Sequence, residues 1–232
     1  MRTIYKQIED YLTYCEKVRR MSTVTLRTKR YILLRFAEIT KLRDLKKLSN
    51  SAFDAYVSEL LATGISGRSA NTYNATVVAF VRYYQGMGLT MPFKLVLAQK
   101  LKEAKIERKF YTMEEIEKVV ALANSEVGLM IRIMFETGMR ITELTQLKTT
   151  DFCGRQIQFI GKGQKKREAY VTESTLELIR MHICKNDVNG FLWGTTLNGE
   201  PPTTNTVRFK LKTAFSRAGF ADFYPHALRH SF

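Results

Sequence analysis

Over about the first hundred residues, apolar side chains return every three or four positions, and that spacing confines this part of the chain to amphipathic helices. Ile4, Ile8, Tyr11, Leu12, Cys15 and Val18 trace a first helix. A second follows Ser22 or Thr23 and runs to about Thr40, with Leu26, Leu33, Phe36 and Ala37 on one side and Arg27, Lys29, Arg30 and Arg35 around the rest. Phe53, Tyr56, Val57, Leu60 and Leu61 mark a third, with Gly64 where a C-terminal cap belongs. Tyr73, Val77, Phe80, Val81 and Tyr84 give a fourth, closed by Gly86 and Gly88.

The pattern lapses between Pro92 and Lys109, a stretch carrying Lys94, Lys100, Lys102, Lys105, Arg108 and Lys109, and then restarts. This reads as a linker, dividing the chain into domains at 1–106 and 107–232. With 232 residues, 45% of them hydrophobic, the chain can fill two cores. Lys and Arg number 37 against 22 acidic residues, a net charge of +15, which favours a polyanionic partner through counterion release. The first domain holds 19 basic and 8 acidic residues and the second 18 and 14, so the helical half carries most of the attraction. A solvated charged face is the alternative reading of that excess.

Nucleic acid is the expected partner rather than a membrane, because apolar runs are short and broken, as Arg132 breaks the run from Leu129 to Phe135. Met1 to Lys6 lacks the apolar stretch of a secretory signal, which points to the cytoplasm. Cys15, Cys153 and Cys184 are too scattered for a disulfide framework or zinc site and read as reduced thiols; His182 and Cys184 lack a second ligand pair. No metal and no cofactor is expected.

The second half opens on Thr112 and Glu115, a capping box before a helix that runs to about Ala123. Ser125 is placed to cap the next, which buries Leu129, Met130, Ile133 and Met134 and stops near Gly138. Arg155 to Ile160 and Glu168 to Thr172 read as two short strands around a basic, glycine-containing hairpin loop, Gly161 to Lys166. Helices through Leu176, Ile179 and Ile183, and through Val207, Leu211, Ala214, Phe215 and Ala218, follow.

Three fragments carry chemistry suited to a phosphodiester, whose attack needs fixed cations, a proton donor and a nucleophile. Arg140 stands just past the helix-ending Gly138 and one turn before Glu143. A guanidinium fork suits two phosphate oxygens, and a carboxylate can orient it. A surface Arg-Glu pair is the plainer alternative. Pro225 favours a helix start, placing His226 in the first turn and Arg229 on the same face; a capping histidine with an exposed arginine is the alternative there. Lys162, between Gly161 and Gly163, is a compact proton donor on a flexible loop, with Lys165 and Lys166 as competitors and simple phosphate contact as the plainer role.

In this order, Thr137-Gly138-Met139-Arg140 with Glu143, Ile160-Gly161-Lys162-Gly163 and His226-Ala227-Leu228-Arg229-His230, after a helical preface, resemble the tyrosine recombinase (phage integrase) family over nearly the whole chain. The resemblance implies a mainly α fold: a helical, SAM-like core-binding domain, then a mixed but mostly helical catalytic domain with a small antiparallel sheet, the two closing as a C-shaped clamp on duplex DNA. It implies that Arg140 and Arg229 hold the scissile phosphate, His226 assists proton transfer, Lys162 protonates the departing 5′-oxygen and Glu143 supports the pocket. A tyrosine then forms a 3′-phosphotyrosyl link, without metal or ATP. Bacterial, phage or mobile-element origin and tetrameric strand exchange also follow from it.

The family places its nucleophile after the second arginine, whereas Tyr111, Tyr170 and Tyr224 precede His226 and read as packing or hydrogen-bonding residues. The expectation is therefore a chain truncated before the tyrosine, monomeric, that binds duplex DNA but does not cleave it efficiently. A noncatalytic regulator or architectural protein at recombination sites is the rival reading. An RNA-binding protein has only charge in its favour.

Overall fold

Four helices form where the apolar spacing places them: α1 (Ile4–Lys17), α2 (Thr23–Thr40), α3 (Asn50–Ala62) and α4 (Gly67–Gly86). Each begins at a hydroxyl residue, Thr3, Ser22, Ser49 or Ser66, whose side-chain oxygen accepts from the amide three positions on. Such caps satisfy amides that the helix cannot, each contributing about 1 kcal/mol. The computed structural model describes residues 3–89, 101–102, 109–161 and 165–231. The chain divides into two units, Met1–Ile106 and Glu107–Phe232. Most of the linker expected from Pro92 to Lys109 lies outside the described residues.

In the first unit α2 packs against α1, α3 and α4, around Ile8, Leu33, Phe36, Tyr56 and Phe80, all fully buried. Two positions assigned to apolar faces are solvent-exposed. Val18 falls just past the last turn of α1, and Leu61 turns outward near the end of α3. Ile32 takes a buried place on α2 beside Leu33. A polar pin also escapes apolar periodicity: buried Gln7 donates to Asp44 Oδ1 at 3.1 Å, accepts from Leu45 N at 3.0 Å, and its carbonyl accepts from Tyr84 Oη at 2.9 Å. That pin holds a 3-10 turn at Leu45–Lys47 against α1.

The second unit contains α5 (Met113–Leu122), α6 (Ser125–Thr137), α7 (Ile141–Thr145), β1 (Phe152–Cys153), β2 (Gln156–Ile160), β3 (Lys166–Tyr170), α8 (Glu173–Lys185), α9 (Thr204–Arg217) and α10 (Pro225–Ser231). Its centre is α6, which touches α5, α7, α8, α9 and α10. Leu129, Met130, Ile131, Ile133 and Met134 are all buried, so this helix is apolar almost all round, as a surrounded helix must be. Arg132, the charge inside that run, reaches Glu117 on α5 through two hydrogen bonds of 2.8 and 2.7 Å. No described helix is long and apolar enough to cross a membrane.

The three strands form an antiparallel sheet in the order β1-β2-β3. The fold is thus mainly helical with one small sheet, as expected. Details differ. The capping box of Thr112 and Glu115 forms, but α6 is capped by Asn124, whose Oδ1 accepts from Val127 N at 2.8 Å, and Ser125 is the first helical residue. The strand β1 was not anticipated, and β3 begins two residues before the expected Glu168. Glu136, near the end of α6, accepts from Thr172 N at 2.8 Å and Thr175 Oγ1 at 2.6 Å, tying α8 to α6 through its N-terminus.

Candidate active site

Gly138 ends α6 in the left-handed conformation (φ 59°), with its amide bonded to Met134 O. The backbone then turns so that Arg140 precedes α7. Glu143, on the first turn of α7, folds its carboxylate back onto Arg140, accepting from its amide at 2.6 Å and from Nη1 at 2.8 Å. The Glu143 side chain is only 4% exposed and that of Arg140 33% exposed. A buried carboxylate thereby fixes a guanidinium that keeps one side open.

Arg229 arrives from the other end of the unit. Pro225 starts α10, Ala227 and Leu228 are buried in the core, and Arg229 emerges beside α6. Its Nη1 donates to the carbonyl of Gly138 at 2.6 Å, across 91 residues of sequence. Burial, and after it the positive charges of Arg140 and Arg167, pull the Arg229 guanidinium below its ordinary pKa, while Glu143 opposes the shift. Like charges this close, with donors left over, make an anion-binding spot.

The structure therefore brings Arg140, Glu143 and Arg229 together. His226 lies in the first turn of α10, exposed, with no hydrogen bond to the other three among the described residues. Lys162 lies outside the described residues. Of its competitors, Lys165 and Lys166 are both exposed, and Lys166 lines a cleft of about 850 Å³ shared with Arg140, Glu143, Gln158, Gly161 and Arg167.

Arg167 is the residue that sequence reading missed. It pairs with Phe159 across β2 and β3, so it faces the same side of the sheet as that buried ring. With the expected loop ending at Lys166 and the expected strand starting at Glu168, it falls between the two and is assigned to neither. An arginine at an inward position of the alternation Arg167, Ala169, Val171 is the signal that would have found it.

The tyrosines behave unevenly. Tyr111 is buried against Phe215, Phe220 and Phe223, and burial pushes its phenol up to about 12. Tyr224 Oη accepts from Lys109 N at 3.3 Å. Tyr170, expected to pack or bond, is instead 61% exposed at the end of β3, because its side chain falls on the outer phase of the strand. His182 serves structure, with Nε2 3.0 Å from Leu192 O and its ring against Trp193.

Against known proteins, residues 109–232 match the pattern of the phage integrase family and residues 8–85 that of the phage integrase N-terminal SAM-like domain. A tyrosine recombinase of Thermosipho africanus is 25% identical over 249 residues, covering 98% of this chain and 84% of the relative. Tyrosine recombinase XerD of Listeria monocytogenes is 26% identical, over 97% of this chain and 82% of its own length. Among solved structures, a lambda integrase dimer bound to a COC′ core site superposes with a TM-score of 0.81 at 18% identity, covering 99% of this chain and 88% of that one. XerH recombinase bound to a palindromic difH substrate gives 0.74 at 21% identity, over 95% and 70%. With the first of those patterns spanning more than half of the sequence, this chain belongs to the phage integrase family, the tyrosine recombinases.

Proposed function

We propose that this chain binds duplex DNA and represents a site-specific recombinase that cleaves and rejoins strands through a 3′-phosphotyrosyl intermediate. The observation that carries the reading is the convergence of Arg140 and Arg229, 89 positions apart, on the Gly138 turn, with Glu143 buried behind Arg140. Two guanidiniums with free donors suit the two nonbridging oxygens of a phosphodiester, whose charge grows as it is attacked. The lambda integrase and XerH structures that share the fold hold DNA, and the net charge of +15 supports the same partner.

In this reading Arg140 and Arg229 bind the scissile phosphate. Glu143 keeps Arg140 in its rotamer, and His226, at the open first turn of α10, moves a proton at a phosphate oxygen. Lys162, between β2 and β3 in the sequence, protonates the leaving 5′-oxygen. The nucleophile belongs after α10, and every tyrosine in this sequence precedes His226. Strand exchange is the work of a tetramer on paired sites.

Gel shifts test binding: duplex DNA should be retained over single strands and RNA, and affinity should fall steeply with salt. For cleavage, the protein extended through its gene's downstream sequence should become covalently attached to a nicked suicide duplex. Arg140→Ala or Arg229→Ala should abolish that adduct and leave duplex binding largely intact. An extended protein that binds its site without ever forming the adduct would instead be a noncatalytic occupant of such sites.

A further inference from the structure

We propose that Arg167 is a third phosphate-binding arginine of this site, its guanidinium joining those of Arg140 and Arg229 on one anion. The inference deepens the reading above and rests on it.

The local geometry gives Arg167 a fixed path. Its register partner Phe159 lies directly across the sheet, and the guanidinium carbon stands 5.5 Å from the centre of that ring. Stacking on an aromatic face holds a guanidinium in place while leaving its edge donors free. Gly161 supplies the passage. A Cβ there would stand 2.7 Å from Arg167 Cδ, 3.3 Å from Cγ and 3.5 Å from Glu143 Oε1. Gly161 has no left-handed backbone to justify its identity; what it provides is room for the stem of Arg167 to run beside the Glu143 carboxylate.

Charge accounting then points to an anion. Glu143 is engaged by Arg140 through both its oxygens, and among the described residues Arg167 has no carboxylate partner. Arg140, Lys148, Lys166 and Arg167 line the cleft against Glu143, Asp151 and Glu168, and Arg229 stands close enough to feel Arg140 and Arg167, so five cations face three carboxylates and the site keeps a positive excess. Partly buried like charges repel unless an anion enters between them. Arg167 is close enough to contribute to the depressed pKa of Arg229, in the same sense as Arg140.

The test is a titration of the 232-residue chain with inorganic phosphate at constant ionic strength, read as the dissociation constant from phosphate-dependent thermal shift. Arg167→Gln should weaken phosphate about tenfold, the scale of one charge-assisted hydrogen bond, and so should Arg140→Gln. Arg208→Gln, which removes an exposed arginine on α9 bonded to Asn205, should change it less than about twofold, controlling for net charge. Gly161→Ala keeps every charge but displaces the Arg167 stem, and should weaken phosphate several-fold. Arg167→Lys, which preserves charge and stem, guards against a variant lost to misfolding and should fall between wild type and Gln. If Arg167→Gln and Arg167→Lys bind phosphate as tightly as Arg208→Gln while Arg140→Gln and Arg229→Gln lose it, the third arginine is refuted and the two-arginine site stands. If Arg140→Gln and Arg229→Gln also retain phosphate, both readings fall.

Discussion

Replacing Glu143 by Gln separates a buried scaffold from a surface ion pair, the two readings that sequence alone leaves open for Arg140 and Glu143. The carboxylate is almost wholly buried and accepts two short bonds, one from the Arg140 amide and one from its guanidinium. Charge-assisted bonds contribute about 1.5–3 kcal/mol each. The amide oxygen of Gln can retain one of them in weaker form, and Arg140 is a third exposed, so part of its interaction is already screened. The net loss comes to about 2 kcal/mol. The sequence supplies its own probe, because its one tryptophan, Trp193, is buried in the same unit and donates from Nε1 to Leu144 O at 2.7 Å, one residue from the mutated site. Urea unfolding followed by Trp193 emission, with a slope of about 2 kcal/mol per molar urea, should show the midpoint falling by about 1 M. An exposed pair would be worth about 0–1 kcal/mol and move the midpoint much less. A shift below about 0.3 M would refute the claim that the carboxylate holds Arg140.

Two further outcomes follow from the same unit. Gly138→Ala places a side chain at φ 59° and should cost about 1–2 kcal/mol in the Trp193 urea assay, and it should weaken inorganic phosphate binding as well, since the Gly138 carbonyl anchors Arg229. Tyr111→Phe should leave stability at pH 7 unchanged or slightly higher, because its buried hydroxyl has no hydrogen-bond partner among the described residues. Its pKa of about 12 lies above the ordinary 10.0, so the unfolded chain ionises first and this residue's share of stability drains away as pH rises from 10 through 12. In Tyr111→Phe that alkaline loss should shrink when melting temperatures are compared at pH 9 and pH 11. An identical loss in both proteins would show that burial does not set the phenol's titration.

Helices were legible wherever one face is apolar and a hydroxyl precedes it, since period and cap are both local properties: Ser22 and α2, or Thr112 and α5. Contacts set by distant partners were not. Nothing near Gln7 announces that it receives the 3-10 turn 38 residues away. Asn124 and Ser125 are both good caps, and only the backbone path of α6 chooses Asn124. The start of β3 was misplaced because Lys166 and Arg167 look like loop residues, whereas pairing with Ile160 and Phe159 makes them strand.

The same division runs through the site. Arg140 and Glu143 are three residues apart on a helical turn, so their pairing follows from local geometry. Arg229 joins them for a reason no local pattern holds: buried Ala227 and Leu228 commit α10 to the core around α6, and that commitment aims the next side chain at the Gly138 carbonyl. Arg167 was hidden for the complementary reason. Its place depends on a glycine six positions back leaving space and on a phenylalanine across the sheet offering a ring, neither of which is charged. Polar residues in the sequence therefore point to where the chemistry is, and the apolar core and its gaps decide which of them reach it.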